Sequence, residues 1–363
     1  MNLKDLTDKD LKELHGRTRR EIAMCNNFQM GLKILLNSGY GALGNKHFLY
    51  FLIENAEAIT TTGQVVNRWT SFRINDLLNE IVGNDVQKDY VAYGDTDSAF
   101  FNASDVVKAM GIESESNVTI TQRLDEFIKT IVDPEVRGYT DELCDYLNNV
   151  ENKMVWERES IASSTILVQK KRYVMSVVDS EGIHYYNEPY LKLTGLEAKR
   201  SDTPEWARGP LIECYKLALA KDKKGLHKLV KETRKAIRDL NVSDVAVPKG
   251  VNGVEKYTGP EDTYIKGTPM HVRAAINHNR MLRNLGIAHI DRIGSGANIK
   301  YLALKKPNPM GDDVIGFVSY LPAEFGLEGY VDYKEIFHKG FEKPLQNFLD
   351  AINWTTEEVI ELF

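Results

Sequence analysis

The chain has 363 residues, 42% hydrophobic and 27% charged, the balance of an ordinary soluble globular protein with room for two or three packed units. No uninterrupted apolar run is long enough to cross a bilayer, and Met1 opens a polar stretch instead of a signal peptide, so the expectation is a cytoplasmic protein with no membrane partner. Cys25, Cys144 and Cys214 are far apart and odd in number, which argues for a reducing compartment and against a metal cluster; the net charge of −6 gives no global basic signature for nucleic acid and leaves that role to a local patch.

The first predicted element is a long helix opened by Thr7 and Asp10. It carries Leu11, Leu14, Ile22, Phe28 and Leu32 and ends near Gly44-Asn45. Arg17, Arg19 and Arg20 read as its solvated face. Further along, Lys33, Asn37 and Tyr40 fall at i, i+4 and i+7 and share a face over roughly 10 Å. A cation, an amide and an aromatic ring in a row suit a nucleotide, and Gly41 removes a side chain where something must come close. A snorkelling lysine above a core tyrosine fits the same spacing. Phe51-Leu52-Ile53-Glu54 reads as buried structure. A second helix follows from Asn55 to about Val82, with Ile59, Val66, Trp69, Ile74 and Leu78 on a broad apolar side and Gly83-Asn84-Asp85 as its stop.

Residues 89–103 then read as strand, tight turn, strand, with Tyr93-Gly94-Asp95-Thr96-Asp97-Ser98 at the centre. Carboxylates two apart in an extended chain point to the same side, repel each other and are costly to bury unpaired. A hard divalent cation relieves that repulsion. A solvated acidic hairpin tip is the other reading of Asp95 and Asp97.

Lys33-x3-Asn37-Ser38-x-Tyr40-Gly41 followed by Tyr93-Gly94-Asp95-Thr96-Asp97-Ser98 resembles motifs B and C of the family B DNA polymerases, in order and at a fitting separation. The wider text, Asn37 to Asn45 and Ala58-Ile59-Thr60-Thr61-Thr62-Gly63-Gln64, is most similar to the replicative polymerases of tailed bacteriophages. The resemblance weakens beyond about residue 205. It implies an α+β fold: the second half of the fingers over 1–46, a palm of antiparallel sheet and helices over 47–203, a mostly helical thumb over 204–350 and a tail over 351–363.

An amphipathic helix is expected over Ile120 to Asn149, and an extended run from Met154 to Ala162. By period 2, Glu157 and Glu159 share a face of that run. In the resembling family an acidic pair here lies near the catalytic carboxylates, which makes Glu159 a candidate metal ligand. Salt bridging to Arg158 or the next lysines reads the same residues as structure. The β-rich segment 165–178 contains Lys170-Lys171-Arg172-Tyr173. As one alternating strand it puts Lys171 and Tyr173 on one face, Lys170 and Arg172 on the other. The resemblance implies that these four hold the primer strand; an exposed basic strand is the alternative. Thr203-Pro204 opens two helices, roughly 204–220 and 224–240, that form the most basic part of the chain. Val247 to Asn252 reads as a loop whose amides, with Lys249, suit phosphates. Pro307-Asn308-Pro309 is a turn. In the tail, Leu362 and Phe363 either dock on a sliding clamp, as the resemblance implies, or pack back on the thumb.

The family's motif A aspartate, in an Asp-x-x-Ser-Leu-Tyr-Pro type of sequence, has no counterpart in the chain, nor do the exonuclease motifs or the first fingers helix. The expectation is the carboxy-terminal half of a split polymerase, completed by an amino-terminal chain with the exonuclease domain and motif A. A shortened single-chain enzyme has the same sequence. The resemblance further implies extension of primer-template DNA with deoxynucleoside triphosphates by two Mg2+ ions, with Mn2+ as a substitute, in an infected bacterial host. Asp97 would touch both ions and Asp95 bind or support them. Lys33 would pair with the triphosphate, Asn37 add a hydrogen bond, and Tyr40 and Gly41 lie under the nascent base pair. The competing class is a non-catalytic DNA-binding or clamp-tethering subunit that keeps the palm and thumb.

Overall fold

A computed structural model describes residues 7–357, so the roles expected of Leu362 and Phe363 lie outside the described residues. The fold is α+β, helices with three small antiparallel sheets, in two compact units interleaved in sequence. One takes 1–110 and 129–156, the other 111–128 and 157–363. No helix among the described residues is long and apolar enough to cross a membrane.

The first unit begins with α1 (Asp8–Leu43). Thr7 caps it as expected: its side chain accepts from the Asp10 amide while the Asp10 carboxylate accepts from the Thr7 amide. The helix is about 54 Å long by its rise, and none of its residues is buried. The Phe51-Leu52-Ile53 stretch, expected to be buried, is exposed too, so the apolar spacing of these residues finds no cover among the described residues. Next comes α2 (Ile53–Val82), which buries Ala56, Val66, Thr70, Ile74 and Leu78 along one stripe and stops at Gly83, whose φ of 73° is left-handed. Strands β1 (Val91–Asp95) and β2 (Ser98–Phe101) form the expected hairpin, and α3 (Ser104–Ala109) follows.

The helix expected over 120–149 is broken in the middle. α4 (Asn117–Phe127) gives way to a π turn, Ile128–Val132, before α5 (Asp133–Tyr146). Pro134 lies at the start of α5 and has no N–H to donate back, which explains the break. Within the first unit α5 packs on α2 and buries Val136, Thr140 and Leu143. There Trp69 Nε1 donates to the Tyr139 carbonyl at 2.9 Å and the Arg73 guanidinium lies 4.5 Å from the Tyr139 ring centre.

In the second unit, β3 (Ser160–Gln169), β4 (Arg172–Ser180), β5 (Ile183–His184) and β6 (Tyr190–Thr194) make an antiparallel sheet centred on β4. That strand is buried from Tyr173 to Asp179 except at Ser176, so apolar residues run on through it and little alternation shows. Helices α6 (Glu205–Leu219) and α7 (Lys223–Ala236) match the two helices expected there, and α8 (Val242–Val245) follows. The stretch expected as a loop at 247 is instead an edge strand, β7 (Val247–Gly250), where Pro248 is tolerated. After α9 (Val254–Tyr257) and α10 (Met270–Leu285), β8 (Asn298–Ala303) and β9 (Val314–Phe317) complete a three-stranded sheet. Ala274, Ala275 and Gly316 let α10 lie close on β9; a Cβ at Gly316 would stand 3.0 Å from the Ala274 carbonyl carbon. The main core gathers Leu211, Tyr215, Leu226 and Phe317 with Phe341 and Phe348 from around α11 (Tyr333–Phe337) and α12 (Lys343–Leu349).

Candidate active site

The β1–β2 hairpin turns on two residues, Thr96 and Asp97. Asp95 pairs with Ser98, Gly94 with Ala99 and Tyr93 with Phe100. The Asp97 amide and the Ser98 hydroxyl both donate to the Asp95 carbonyl, at 2.6 and 3.1 Å. Thr96 has a φ of 55°, a left-handed value that costs a β-branched residue about 1–3 kcal/mol. Asp95 ends a strand and Asp97 sits in the turn, so the rule that alternate residues of an extended chain share a face does not apply between them. Their closeness comes from the turn itself. Asp95 is half-buried and Asp97 exposed.

What anchors this hairpin is a row of asparagines on α2. Asn67 Nδ2 donates to the Ser98 carbonyl at 3.1 Å. Asn75 Oδ1 accepts from the Tyr90 and Val91 amides, both at 2.8 Å, and its Nδ2 donates to Asp89. The buried Asn79 bonds the Lys88 backbone in both directions. The sequence reading missed all three, because an asparagine inside a helix carries no local sign of a partner 9 to 31 residues away.

Lys33, Asn37, Tyr40 and Gly41 lie exposed on α1. Tyr40 is 45% exposed, which sets aside the core-tyrosine reading, and a Cβ at Gly41 would meet nothing within 4 Å. Helix α1 contacts α2, and α2 contacts both hairpin strands, so the two motif-bearing elements belong to one packed unit.

In the second unit Glu159 is the last residue before β3; of the run expected to be extended from Met154 to Ala162, only residues 160–162 lie in a strand, and 154–159 have no regular secondary structure. The Glu159 carboxylate is exposed and 2.6 Å from Lys192 Nζ. Arg158 does not pair with it. The Arg158 side chain, 9% exposed, bridges Asp125 of α4 at 2.7 Å and the buried Asp179 of β4. The basic run is also rearranged. Lys170 and Lys171 form the turn between β3 and β4, with Lys171 at φ 60°, so the expected alternation along one strand does not hold. Both lysines are exposed. Arg172 is held by Glu197 and the Gly195 carbonyl, and Tyr173 is buried in the sheet, so neither presents itself to a ligand. Lys249 pairs with Asp202 at 2.7 Å. Arg200 first and Lys249 second hold the Asp202 carboxyl well below the usual carboxylate range. Burial, with the Lys249 charge adding to it, lowers the His271 imidazole.

Among the described residues no three His, Cys, Asp or Glu side chains come together to hold a metal ion. Asp95 and Asp97 are hard oxygen donors of the type Mg2+ prefers, but two carboxylates fall short of a full set.

The two motifs read from the sequence, one on α1 and one on the β1–β2 hairpin, agree with what sequence comparison gives. The sequence profile of DNA polymerase family B matches residues 7–133, and the chain belongs with the family B DNA polymerases. Over 99% of its length it is 32% identical to the DNA-directed DNA polymerase of Enterobacteria phage T4 and 33% identical to that of Escherichia phage RB69. Over 88% of its length it is 25% identical to DNA polymerase 2 of Aeropyrum pernix. Within the family it therefore resembles the phage enzymes. It spans 41% of the length of each phage relative.

Proposed function

We propose that this chain is the fingers, palm and thumb portion of a template-directed DNA polymerase, a nucleotidyltransferase working by two-metal phosphoryl transfer. The observation that carries the proposal is that α1, with the Lys33–Asn37–Tyr40 face, and the Asp95–Asp97 hairpin both contact the same helix, α2, within one compact unit. Fingers over 1–46, palm over 47–203 and thumb over 204–350 remain the proposed subdomains.

Divalent ions, once bound, supply a lowered pKa for the primer hydroxyl and neutralise the charge on the triphosphate. Asp97 would hold both ions and Asp95 would hold one or support the turn. Lys33 would meet the triphosphate as a point charge, with Asn37 as a hydrogen-bond donor beside it. Tyr40 and Gly41 would form the surface under the new base pair. In the reaction the primer 3′ oxygen bonds to the α-phosphorus, the bond to the bridging oxygen breaks and pyrophosphate leaves. Of the basic run, Lys170 and Lys171 carry the proposed primer contact, while Arg172 and Tyr173 shape the hairpin behind them. Lys249 shares its charge with Asp202 and is the weaker contact. Glu159, engaged by Lys192, would join the metals only after releasing that lysine.

The donor count and the bare apolar residues of α1 together support a need for further polymerase sequence. Phe28, Leu35 and Leu36 are 69%, 68% and 78% exposed on α1, large apolar side chains left bare on one helix, as at a binding surface. A separate chain with the remaining acidic residue and the exonuclease domain would cover them. The test is primer extension with Mg2+, by this chain alone and mixed with such a chain. Extension in the mixture is the expected result. Asp97→Asn should lower it by more than about 10³-fold, or about 4 kcal/mol of barrier. Duplex binding without incorporation in a properly formed complex would replace the enzyme reading with that of a binding subunit.

A further inference from the structure

Strands β1 and β2 pair with no third strand among the described residues. Two strands alone are marginal in water, so the position of their tip depends on what else holds it. The tip also includes Thr96 at a left-handed φ of 55°, a conformation that persists only where the surroundings impose it. Asn67 on α2 supplies a bond at that point. Its Nδ2 donates to the carbonyl of Ser98, the residue that follows Asp97 and pairs with Asp95. Gly94 is fitted around the same amide. A Cβ on Gly94 would stand 2.9 Å from Asn67 Oδ1 and 3.4 Å from the Ser98 carbonyl oxygen. The φ of Gly94 is not in the left-handed region, so its lack of a side chain answers to space and not to backbone conformation. The root of the hairpin has its own anchors in Asn75 and Asn79. Asn67 can therefore be lost without freeing the whole hairpin.

We infer that Asn67 is a positioning residue for the reaction. Its amide fixes the Ser98 carbonyl and, through it, the turn that carries Asp95 and Asp97, and Gly94 is the space that this amide occupies. The inference rests on the reading of the hairpin as the metal-binding element. It assigns to Asn67 a control over ion affinity, and to Gly94 the same control by way of Asn67.

The experiment uses Asn67→Ala, Gly94→Ala and the double variant, with Asp97→Asn alongside. Mn2+ is titrated into the full chain and the free ion followed by electron paramagnetic resonance. The Mg2+ concentration for half-maximal primer extension is measured in the active assembly, and the thermal midpoint on the chain alone. Asn67→Ala should weaken Mn2+ binding and raise the Mg2+ requirement by about 10-fold, as outer partners of metal ligands do. The apparent KM for nucleotide at saturating Mg2+ should stay within about twofold, since the Asn67 amide bonds the hairpin and the Lys33 face lies on another helix. Gly94→Ala should copy it, because the new methyl turns Asn67 away from Ser98. The double variant should be no worse than either single change, the signature of one shared interaction.

A lowered thermal midpoint with unchanged ion dependence would overturn the inference and leave Asn67 a structural residue only. Additive defects would separate Gly94 from Asn67 and overturn the pairing. If Asp97→Asn keeps both Mn2+ binding and extension, the catalytic reading of the hairpin fails first. If Asp97→Asn abolishes them while Asn67→Ala and Gly94→Ala change nothing, the inference about Asn67 fails alone.

Discussion

His278 in α10 is 2% exposed, with Nδ1 2.9 Å from the Gly316 carbonyl and Nε2 3.3 Å from that of Asp291. Burial pushes its imidazole below the ordinary value of 6.5; the two carbonyls pull the other way, and Arg292 adds to the lowering. The folded chain thus holds the ring's proton less tightly than the unfolded chain, which protonates it below about pH 6.5. Folding stability from this residue is complete above that pH and falls as pH drops through it, by at most about 1.4 kcal/mol per pH unit. Denaturant unfolding at pH 5 to 8 should show this slope, and His278→Gln should flatten it; an unchanged slope would mean that burial does not lower the ring's proton affinity. Neither His278 nor the asparagines of α2 were legible in the sequence. Their partners are backbone carbonyls and amides brought up by folding, and no residue type announces those. The hairpin that carries Asp95 and Asp97 and the helix that carries Lys33 were legible because their patterns are local: β-prone runs on either side of a turn, and a capped run of helix formers.

Elements were legible where a periodic pattern or a stop residue marks them, as at Thr7 and Gly83, and misread where two short elements share one composition. The basic run at 170 lies between two apolar runs and reads as a single strand. A two-residue turn needs only one residue able to take a positive φ, and Lys171 does so without being glycine or asparagine. What allows it lies elsewhere, at Gly195. That residue has a φ of 62°, and a Cβ on it would fall 2.1 Å from the Lys171 carbonyl oxygen. Gly195→Ala should therefore cost both backbone strain and a forced shift of the hairpin tip, about 2 kcal/mol or more. Gly182 provides the control. Its φ of 82° is also left-handed, but nothing lies within 4 Å of its Cβ position, so Gly182→Ala should cost only the strain, about 1 kcal/mol. Denaturant midpoints of the two variants check the difference. Equal losses would mean that the Lys171 carbonyl yields easily, and that the tip carrying Lys170 and Lys171 is less firmly placed than its geometry implies.

At the scale of the whole molecule, the linear sequence hides that residues 111–128 fold with 157–363; no composition change marks the crossing. Charge is the other whole-chain property, and its sum misleads. A net −6 says little about a protein that concentrates its cations. Helix α7 buries Leu226, His227, Val230 and Thr233 on one side and exposes Lys223, Lys224, Lys228 and Lys235. Lys224, Lys228 and Lys235 recur at four- and seven-residue steps, which sets them along one stripe. Glu232 is 3.9 Å from Lys228, a loose exposed pair of little worth. A stripe of this kind either tracks a phosphate backbone or is only solvated, and counterion release separates the two. If each lysine neutralises one duplex phosphate, the combined change Lys224→Ala, Lys228→Ala and Lys235→Ala should flatten the logarithmic salt dependence of duplex binding by about 2 to 3. Fluorescence anisotropy of labelled primer-template between about 50 and 200 mM salt gives that slope. A slope that does not move would make α7 a solvated face. The proposed DNA path would then rest on the exposed tip at Lys170 and Lys171, whose double alanine variant should lower the slope by about 2 in either case.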